Sequence, residues 1–165
     1  MDSVYYTYYP SPIGKLAIAR SRNGLTNILF EDQGVPETWI LDEDDRLLKI
    51  TSRELTEYFD GERQAFSLPL DLFGTVFQNK VWVKSLEIGY GETQTYGKLA
   101  ENIGNKGSAR AVGTALGSNK IPIIIPCHRI VPAKGGVGNY LGGSDVKAFL
   151  IELEQDNKHK TDTAK

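Results

Sequence analysis

The single cysteine of this 165-residue chain lies in a segment where its chemistry could matter. Cys127 follows Pro126 and precedes His128 and Arg129. A thiol becomes a nucleophile as its thiolate, and neighbouring cations favour that form. Free cysteines are also often ordinary core residues. Because a His-Arg pair directly follows the thiol, we interpret Cys127 as a candidate nucleophile.

Whether His128 reaches the thiol depends on the local backbone. Residues 121–126 are apolar and contain two prolines, so we expect a buried, extended or irregular stretch rather than a helix. Adjacent residues of an extended strand point to opposite faces. His128 would therefore act on Cys127 through a bend in the chain or through a bridging water, and the sequence leaves both routes open.

Two short helices are predicted upstream of the cysteine, over residues 96–103 and 108–116, with a turn containing glycine between them. This pattern is typical of a helix-turn-helix. On a helical wheel the second helix has a face of small residues and one arginine, which suits close approach to a narrow groove in DNA. Packing against another helix would also suit such a face. The apolar side comprises Ala109, Val112, Ala115 and Leu116, and the outward side Arg110, Thr114 and Gly117.

The first 73 residues read as a sheet with a helix packed on it. Segments 5–9, 15–20 and 25–30 have strand character, and Asn23-Gly24 is a strong hairpin signal. A helix is predicted from the acidic stretch 42–45 to Gly61. A linker is expected at residues 68–74, and another helix follows it, from residue 76 to about 86. We therefore predict an α+β chain with domains 1–73 and 74–154 and a disordered polar tail, 155–165.

Composition narrows the function classes. One cysteine excludes an internal disulfide, and two histidines 31 residues apart give no usual metal cluster, so we expect neither metal nor cofactor. Neither a membrane span nor a secretion signal is visible, which predicts a cytoplasmic protein, or a nuclear one in a eukaryote. Lysine and arginine number 7 against 13 acidic residues over 1–73, but 7 against 2 over 94–147. The basic excess is typical of a DNA-binding surface.

Several separated motifs occur in an order that identifies a family resemblance. They are Ala-Arg-Ala-Val-Gly at 109–113, Ile-Pro-Cys-His-Arg-Ile-Val at 125–131 and Gly-Asn-Tyr-Leu-Gly-Gly at 138–143. Together they resemble the O6-alkylguanine-DNA alkyltransferase family, over residues 4 to about 154. The resemblance implies a ribonuclease H-like first domain and a winged-helix-like second domain. It also implies direct repair of DNA: single-turnover, irreversible transfer of an alkyl group from O6-alkylguanine in double-stranded DNA to Cys127, with O4-alkylthymine as a second candidate substrate.

The resemblance also implies roles for individual residues. Cys127 would accept the alkyl group, His128 would act as its base through a water, and Glu154 would orient the histidine. Asn119 would brace the turn before the cysteine, and Tyr96 would assist rotation of the nucleotide. Arg110 would enter the base stack in place of the extruded guanine. The remaining implied contacts to DNA or base are Thr95, Ala111, Gly113, Thr114, Arg129, Tyr140, Leu141, Gly142 and Lys147.

Rival interpretations remain at this stage. A non-catalytic alkyltransferase-like protein would bind the lesion without transfer, although such proteins carry another residue in place of Cys127. A Cys-His hydrolase would need an oxyanion hole, for which no signature is visible. A helix-turn-helix of the transcription-factor type would leave Pro-Cys-His-Arg unexplained. We expect a monomer whose partner is double-stranded DNA containing O6-alkylguanine.

Overall fold

The structure, a computed structural model, describes the backbone of residues 3–163 and the side chains of residues 3–158. The chain forms two compact units, Met1–Phe73 and Gly74–Lys165. This division falls at the end of the predicted first domain. Strands and helices occur in both units, and the predicted α+β class is confirmed.

The first unit contains a four-stranded sheet. Strands β1 (Tyr5–Ser11), β2 (Gly14–Ser21) and β3 (Gly24–Leu29) are antiparallel neighbours. A two-residue strand, β4 (Ile40–Leu41), pairs in parallel with β1, which gives the order β3-β2-β1-β4. The three predicted strands are confirmed. The parallel edge strand escaped prediction because two residues cannot establish a period-two pattern.

The turn between β2 and β3 requires glycine. A Cβ atom on Gly24 would lie 2.7 Å from the carbonyl oxygen of Pro69. The close approach arises because Leu25 donates its N–H to that same oxygen at 2.9 Å, and Asp71 donates to the Leu25 carbonyl at 2.7 Å. The segment predicted to be a linker is therefore attached to the sheet edge over residues 69–71.

Helix α1 (Arg46–Phe59) packs against β1 and β2. It begins where the carboxylate of Asp45 accepts a hydrogen bond from the Leu48 N–H at 2.9 Å, and such a cap satisfies a backbone donor of the first turn. It ends before Gly61, whose φ of 80° cannot continue a helix. The predicted start and stop are both confirmed.

The second unit begins with three short helices, α2 (Val76–Ser85), α3 (Tyr96–Asn102) and α4 (Ala109–Gly117). All three pack against one another. Thr75 and Gln78 form a capping box that fixes the start of α2. Gly104, with φ of 77°, and Gly107, with φ of 92°, supply the left-handed conformations of the turn between α3 and α4. The predicted helix-turn-helix is confirmed.

Helix α4 has the orientation that the wheel predicted. Val112, Ala115 and Leu116 are buried, whereas Arg110 and Thr114 are exposed. The buried indole of Trp82 donates to the Ala115 carbonyl at 2.9 Å and so ties α2 to the inner side of α4. The outer face of the helix is left open to a partner.

Helix α5 (Ser144–Thr163) closes the unit. Its buried residues recur at helical spacing and are Lys147, Leu150, Glu154 and Asn157. The prediction of a disordered tail is therefore wrong over residues 155–163, which continue the helix. The polar composition of the tail gave no indication that Asn157 would be buried. Residues 164–165 lie outside the described part. No helix among the described residues combines the length and apolarity needed to cross a membrane.

Candidate active site

The cysteine lies on a bend. Residues 127–129 form one turn of 3₁₀ helix, followed by strand β6 (Ile130–Val131), which pairs in parallel with β5 (Gln94–Thr95) at the start of α3. Cys127 and His128 are therefore not alternating residues of a strand. The chain does bend here, but within the described part of the chain neither ring nitrogen of His128 bonds to Sγ, which leaves the route through a bridging water.

Asn119 holds the loop that precedes the cysteine. Its side-chain oxygen accepts the Ile121 N–H at 2.9 Å, and its amide nitrogen donates to the Ile125 carbonyl at 2.9 Å. The same nitrogen lies 3.0 Å from Sγ of Cys127. One buried side chain therefore fixes both ends of the loop and the thiol.

The loop stores backbone strain. Ile123 is buried and has a φ of 76°, a left-handed conformation that a β-branched residue rarely adopts. Such a residue costs on the order of 1–3 kcal/mol and persists where surrounding contacts impose it. The Asn119 bonds and the 2.9 Å bond from the Ile125 N–H to the Ile121 carbonyl impose it here.

A cavity of about 620 Å³ opens beside the thiol. Cys127 is 4% exposed, so the sulfur is nearly covered but still forms part of the cavity wall. One side of the wall comes from α3 and α4 and includes Tyr96, Arg110, Gly113 and Thr114. The opposite side is the loop after β6 and includes Pro132, Gly138, Asn139, Tyr140 and Leu141.

Burial keeps the resting thiol protonated. It raises the pKa of Cys127 to about 11, although the Asn119 hydrogen bond, the Lys147 charge and the Tyr140 hydroxyl all favour the thiolate. From the sequence, the neighbouring cations were expected to favour the thiolate. Desolvation of a buried anion outweighs them, so the site needs a base to take the proton when the sulfur reacts.

His128 is placed to be that base. Its ring is fully buried, and Nε2 lies 2.6 Å from Oε2 of Glu154. Burial lowers the pKa of His128, while that of Glu154, although opposed by burial, is lowered to about 2 by its bonds to His128 and Arg129. A neutral imidazole beside a carboxylate donates through Nε2–H, which leaves the lone pair on Nδ1. Nδ1 is buried and has no hydrogen-bond partner among the described residues.

Arg129 does not face the cavity. Its side chain is buried; Nε donates to Oε1 of Glu154 at 2.8 Å and Nη2 to Oε2 at 3.2 Å. Nη1 donates to the Ile88 carbonyl at 2.6 Å. The prediction that Arg129 contacts DNA is therefore wrong, because its donors are used inside the protein.

Lys147 and Tyr96 meet at the other side of the thiol. The ammonium of Lys147 donates to the Tyr96 hydroxyl at 3.4 Å and to the Asn139 carbonyl at 3.2 Å. Lys147 is buried, so this cation supports the cavity wall from behind. Burial and the nearby Cys127 both raise the pKa of Tyr96, so its hydroxyl keeps its proton.

The other predicted contacts on α4 lie on two sides of that helix. Gly113 and Thr114 line the thiol cavity, and Thr114 also lines a second, open groove that Ala111 shares with Phe77. Thr95 caps α3 by accepting the Lys98 N–H at 3.1 Å. Leu141 lies on the cavity wall, and Gly142 follows it in the chain without lining the cavity.

Comparison with known proteins decides the family. Residues 76–156 match the 6-O-methylguanine DNA methyltransferase DNA-binding domain, and residues 4–72 match the ribonuclease-like domain of the same family. The chain belongs to the 6-O-methylguanine DNA methyltransferase family. The resemblance inferred from the sequence motifs is confirmed, and so is the ribonuclease-like character of the first domain.

Relatives of this methyltransferase family match nearly end to end. A methylated-DNA–protein-cysteine methyltransferase of Methanosarcina acetivorans is 43% identical over 92% of this chain and 98% of its own. One from Haemophilus influenzae is 43% identical over 94% and 88%. The crystal structure of Mycobacterium tuberculosis OGT in complex with DNA has a TM-score of 0.88, at 42% identity over 93% of this chain and 94% of that one.

The structure adds to this family site several contacts that sequence reasoning missed. Gly91 donates its N–H to Oε1 of Glu154 at 3.3 Å, and Asn157 interacts with the Tyr90 hydroxyl. Burial raises the pKa of Tyr90 to about 12. One signal in the sequence indicated such contacts. Arg129 lies inside an apolar run, and a buried cation is almost always paired with an anion.

Proposed function

We propose that this protein repairs DNA by removing the alkyl group from O6 of guanine in a duplex and keeping it on Sγ of Cys127. The relatives named above are methylated-DNA–protein-cysteine methyltransferases, which agrees with this assignment. The observation that carries it is one thiol on the wall of a 620 Å³ cavity, backed by a buried histidine and carboxylate.

The target base must leave the duplex to reach the sulfur, because O6 lies on the paired edge of guanine. The open face of α4 is suited to the minor groove: Arg110 projects from it, and residues such as Gly113 are small. Arg110 also lines the cavity. We assign it the place in the stack that the extruded guanine leaves.

Transfer is a displacement at the alkyl carbon. His128 takes the thiol proton at Nδ1, through a water, as the sulfur attacks; the C–S bond forms while the carbon–O6 bond breaks. The electrons of the broken bond go to guanine, which accepts a proton or hydrogen bond from the Tyr96 hydroxyl that Lys147 supports. The products are unmodified guanine and a thioether.

The reaction occurs once per protein molecule. A thioether is a poor electrophile, and the chain contains no second cysteine to receive the group. DNA binding rests largely on phosphate and groove contacts, so sequence preference among sites is weak. Because the alkyl acceptor must stay reduced, we assign this activity to the cytoplasm.

The test measures O6-methylguanine remaining in a duplex after incubation with increasing amounts of protein. Wild-type protein is expected to remove it in proportion to the amount added, and Cys127→Ser to remove none. Binding of the methylated duplex without loss of the methyl group by the wild type would contradict the proposal and indicate a lesion-binding protein.

A further inference from the structure

Glu154 is held from several sides. Its two oxygens accept from Nε and Nη2 of Arg129, and Oε2 also accepts from His128 at 2.6 Å. The Gly91 N–H adds a fourth donor at 3.3 Å. A planar guanidinium that donates to both oxygens restrains the rotation of the carboxylate. A single hydrogen bond to histidine would leave that rotation free.

Arg129 is itself immobilised by the turn at residues 88–91. Nη1 donates to the Ile88 carbonyl at 2.6 Å, and the guanidinium carbon lies 5.8 Å from the centroid of the Tyr90 ring. The side chain is only 9% exposed. Arg129 therefore links three segments: the cysteine turn, the turn at 88–91 and α5.

The charges around His128 oppose one another. From α5, Glu154 favours the imidazolium and Lys147 disfavours it; from the cysteine turn, Arg129 disfavours it, and burial has the largest effect in the same direction. A buried carboxylate without a cation would favour protonation of the ring. A protonated ring has no lone pair at Nδ1 and cannot take the thiol proton.

We propose that Arg129 is a positioning residue for the transfer: its two-point ion pair orients Glu154 and shares the carboxylate charge, so that Glu154 aligns His128 while the ring stays neutral and able to accept a proton. This inference rests on the proposed function. It concerns a residue that touches neither cavity nor sulfur, and it assigns to Arg129 a role in the protonation of His128 rather than in DNA contact.

Histidine titration by NMR tests the charge coupling without any DNA. The chain has two histidines, and a His159→Gln variant separates their signals. Arg129→Met is expected to raise the pKa of His128 by about one unit, a tenfold change in proton affinity. In Arg129→Lys, which keeps the charge, the pKa of His128 is expected to stay closer to the wild-type value. In Arg129→Met/Glu154→Gln both charges are absent, and the pKa of His128 is expected to be lower than in Arg129→Met.

The single-turnover rate of methyl transfer supplies the second readout. Arg129→Met is expected to lose up to about tenfold in rate at acidic pH, where a one-unit rise in the pKa of His128 reduces the neutral fraction of the ring by that factor. This part of the loss is expected to disappear as pH rises, because the ring regains its lone pair. A fold defect would instead slow transfer at every pH. Circular dichroism reports folding, and the double variant provides a fallback if Arg129→Met alone unfolds, since it leaves no unpaired charge.

The outcomes separate the two proposals. A His128 pKa that is unchanged in Arg129→Met, or a transfer rate in that variant equal to the wild-type rate at every pH, would overturn the positioning role while leaving transfer to Cys127 standing. If the wild type transfers no methyl group, the proposed function fails, and the histidine titration still decides whether Arg129 controls the ring.

Discussion

The side-chain amide nitrogen of Asn119 lies 3.0 Å from Sγ of Cys127. Both side chains are buried, and the contact joins the end of the helix-turn-helix to the cysteine turn. A hydrogen-bond donor at this distance stabilises a sulfur anion more than a neutral thiol. Fold stability and thiol reactivity therefore depend on the same asparagine.

Replacing Asn119 with alanine is expected to lower the free energy of unfolding by about 2–4 kcal/mol. The buried Ile121 N–H loses its partner, and the Ile125 carbonyl loses one of its two donors and keeps the Cys127 N–H. Urea unfolding measures this. Asn105→Ala, at an exposed position, is the matched control and should change little. The variant thiol should also react more slowly with iodoacetamide at a given pH; an unchanged rate would argue against the contact with sulfur.

Tyr96→Phe is expected to slow methyl transfer by about tenfold or more while leaving DNA affinity close to that of the wild type. The change removes the hydroxyl that accepts from Lys147 and whose raised pKa keeps it a donor at neutral pH. Single-turnover rates and binding isotherms measure the two effects separately. Tyr5→Phe, in the first unit, is the control. A Tyr96→Phe rate equal to that of the wild type would exclude the hydroxyl from the reaction.

Stability is expected to fall on acidification. The folded pKa of Glu154, about 2, lies below its unfolded value, so its contribution is complete above about pH 4.5 and is lost as pH falls through the folded pKa. The lowered pKa of His128 acts in the same direction from about pH 6.5 downward, since the unfolded chain binds the proton first.

Urea unfolding between pH 7 and pH 3 measures this dependence. The free energy of unfolding of Glu154→Gln should be lower at pH 7 and should change less steeply below about pH 4.5, because glutamine does not titrate. Equal slopes for the variant and the wild type would show that the bonds to His128 and Arg129 do not lower the pKa of Glu154.

DNA affinity is expected to weaken as salt rises, through release of counterions from phosphates. Arg110→Ala should weaken binding to a methylated duplex further, because an exposed cation on α4 is lost. Fluorescence anisotropy over a range of salt concentrations measures both effects. Lys49→Ala, an exposed cation in the first unit, is the control. Equal losses in the two variants would remove α4 from the proposed interface.

The sequence predicted the local features well. Helix starts came from caps such as Asp45, and turns from glycine, because these signals act over a few residues. Cys127 stood out through its neighbours in the chain. The helical wheel predicted the buried and exposed sides of α4. A helix with one side in the core and the other in solvent has apolar residues at helical spacing, and that spacing is visible in the sequence.

The parts that escaped prediction depend on contacts distant in sequence. The pairing of Glu154 with Arg129 spans about 25 positions and was not predicted. The contact of Glu154 with His128 was expected only from the family resemblance, because no local pattern distinguishes Glu154 from a surface glutamate. The left-handed Ile123 is imposed by Asn119 against its own preference. Burial of Lys147 and Arg129 likewise reverses the usual behaviour of these residue types.

The most direct measurement of the central claim is the mass of the protein after reaction with excess O6-methylguanine duplex, followed by peptide mapping. We predict one added methyl group per chain, located on the peptide that contains Cys127, with no further uptake at longer times. A methyl group on any other residue, or repair that continues beyond one equivalent per protein, would contradict the account.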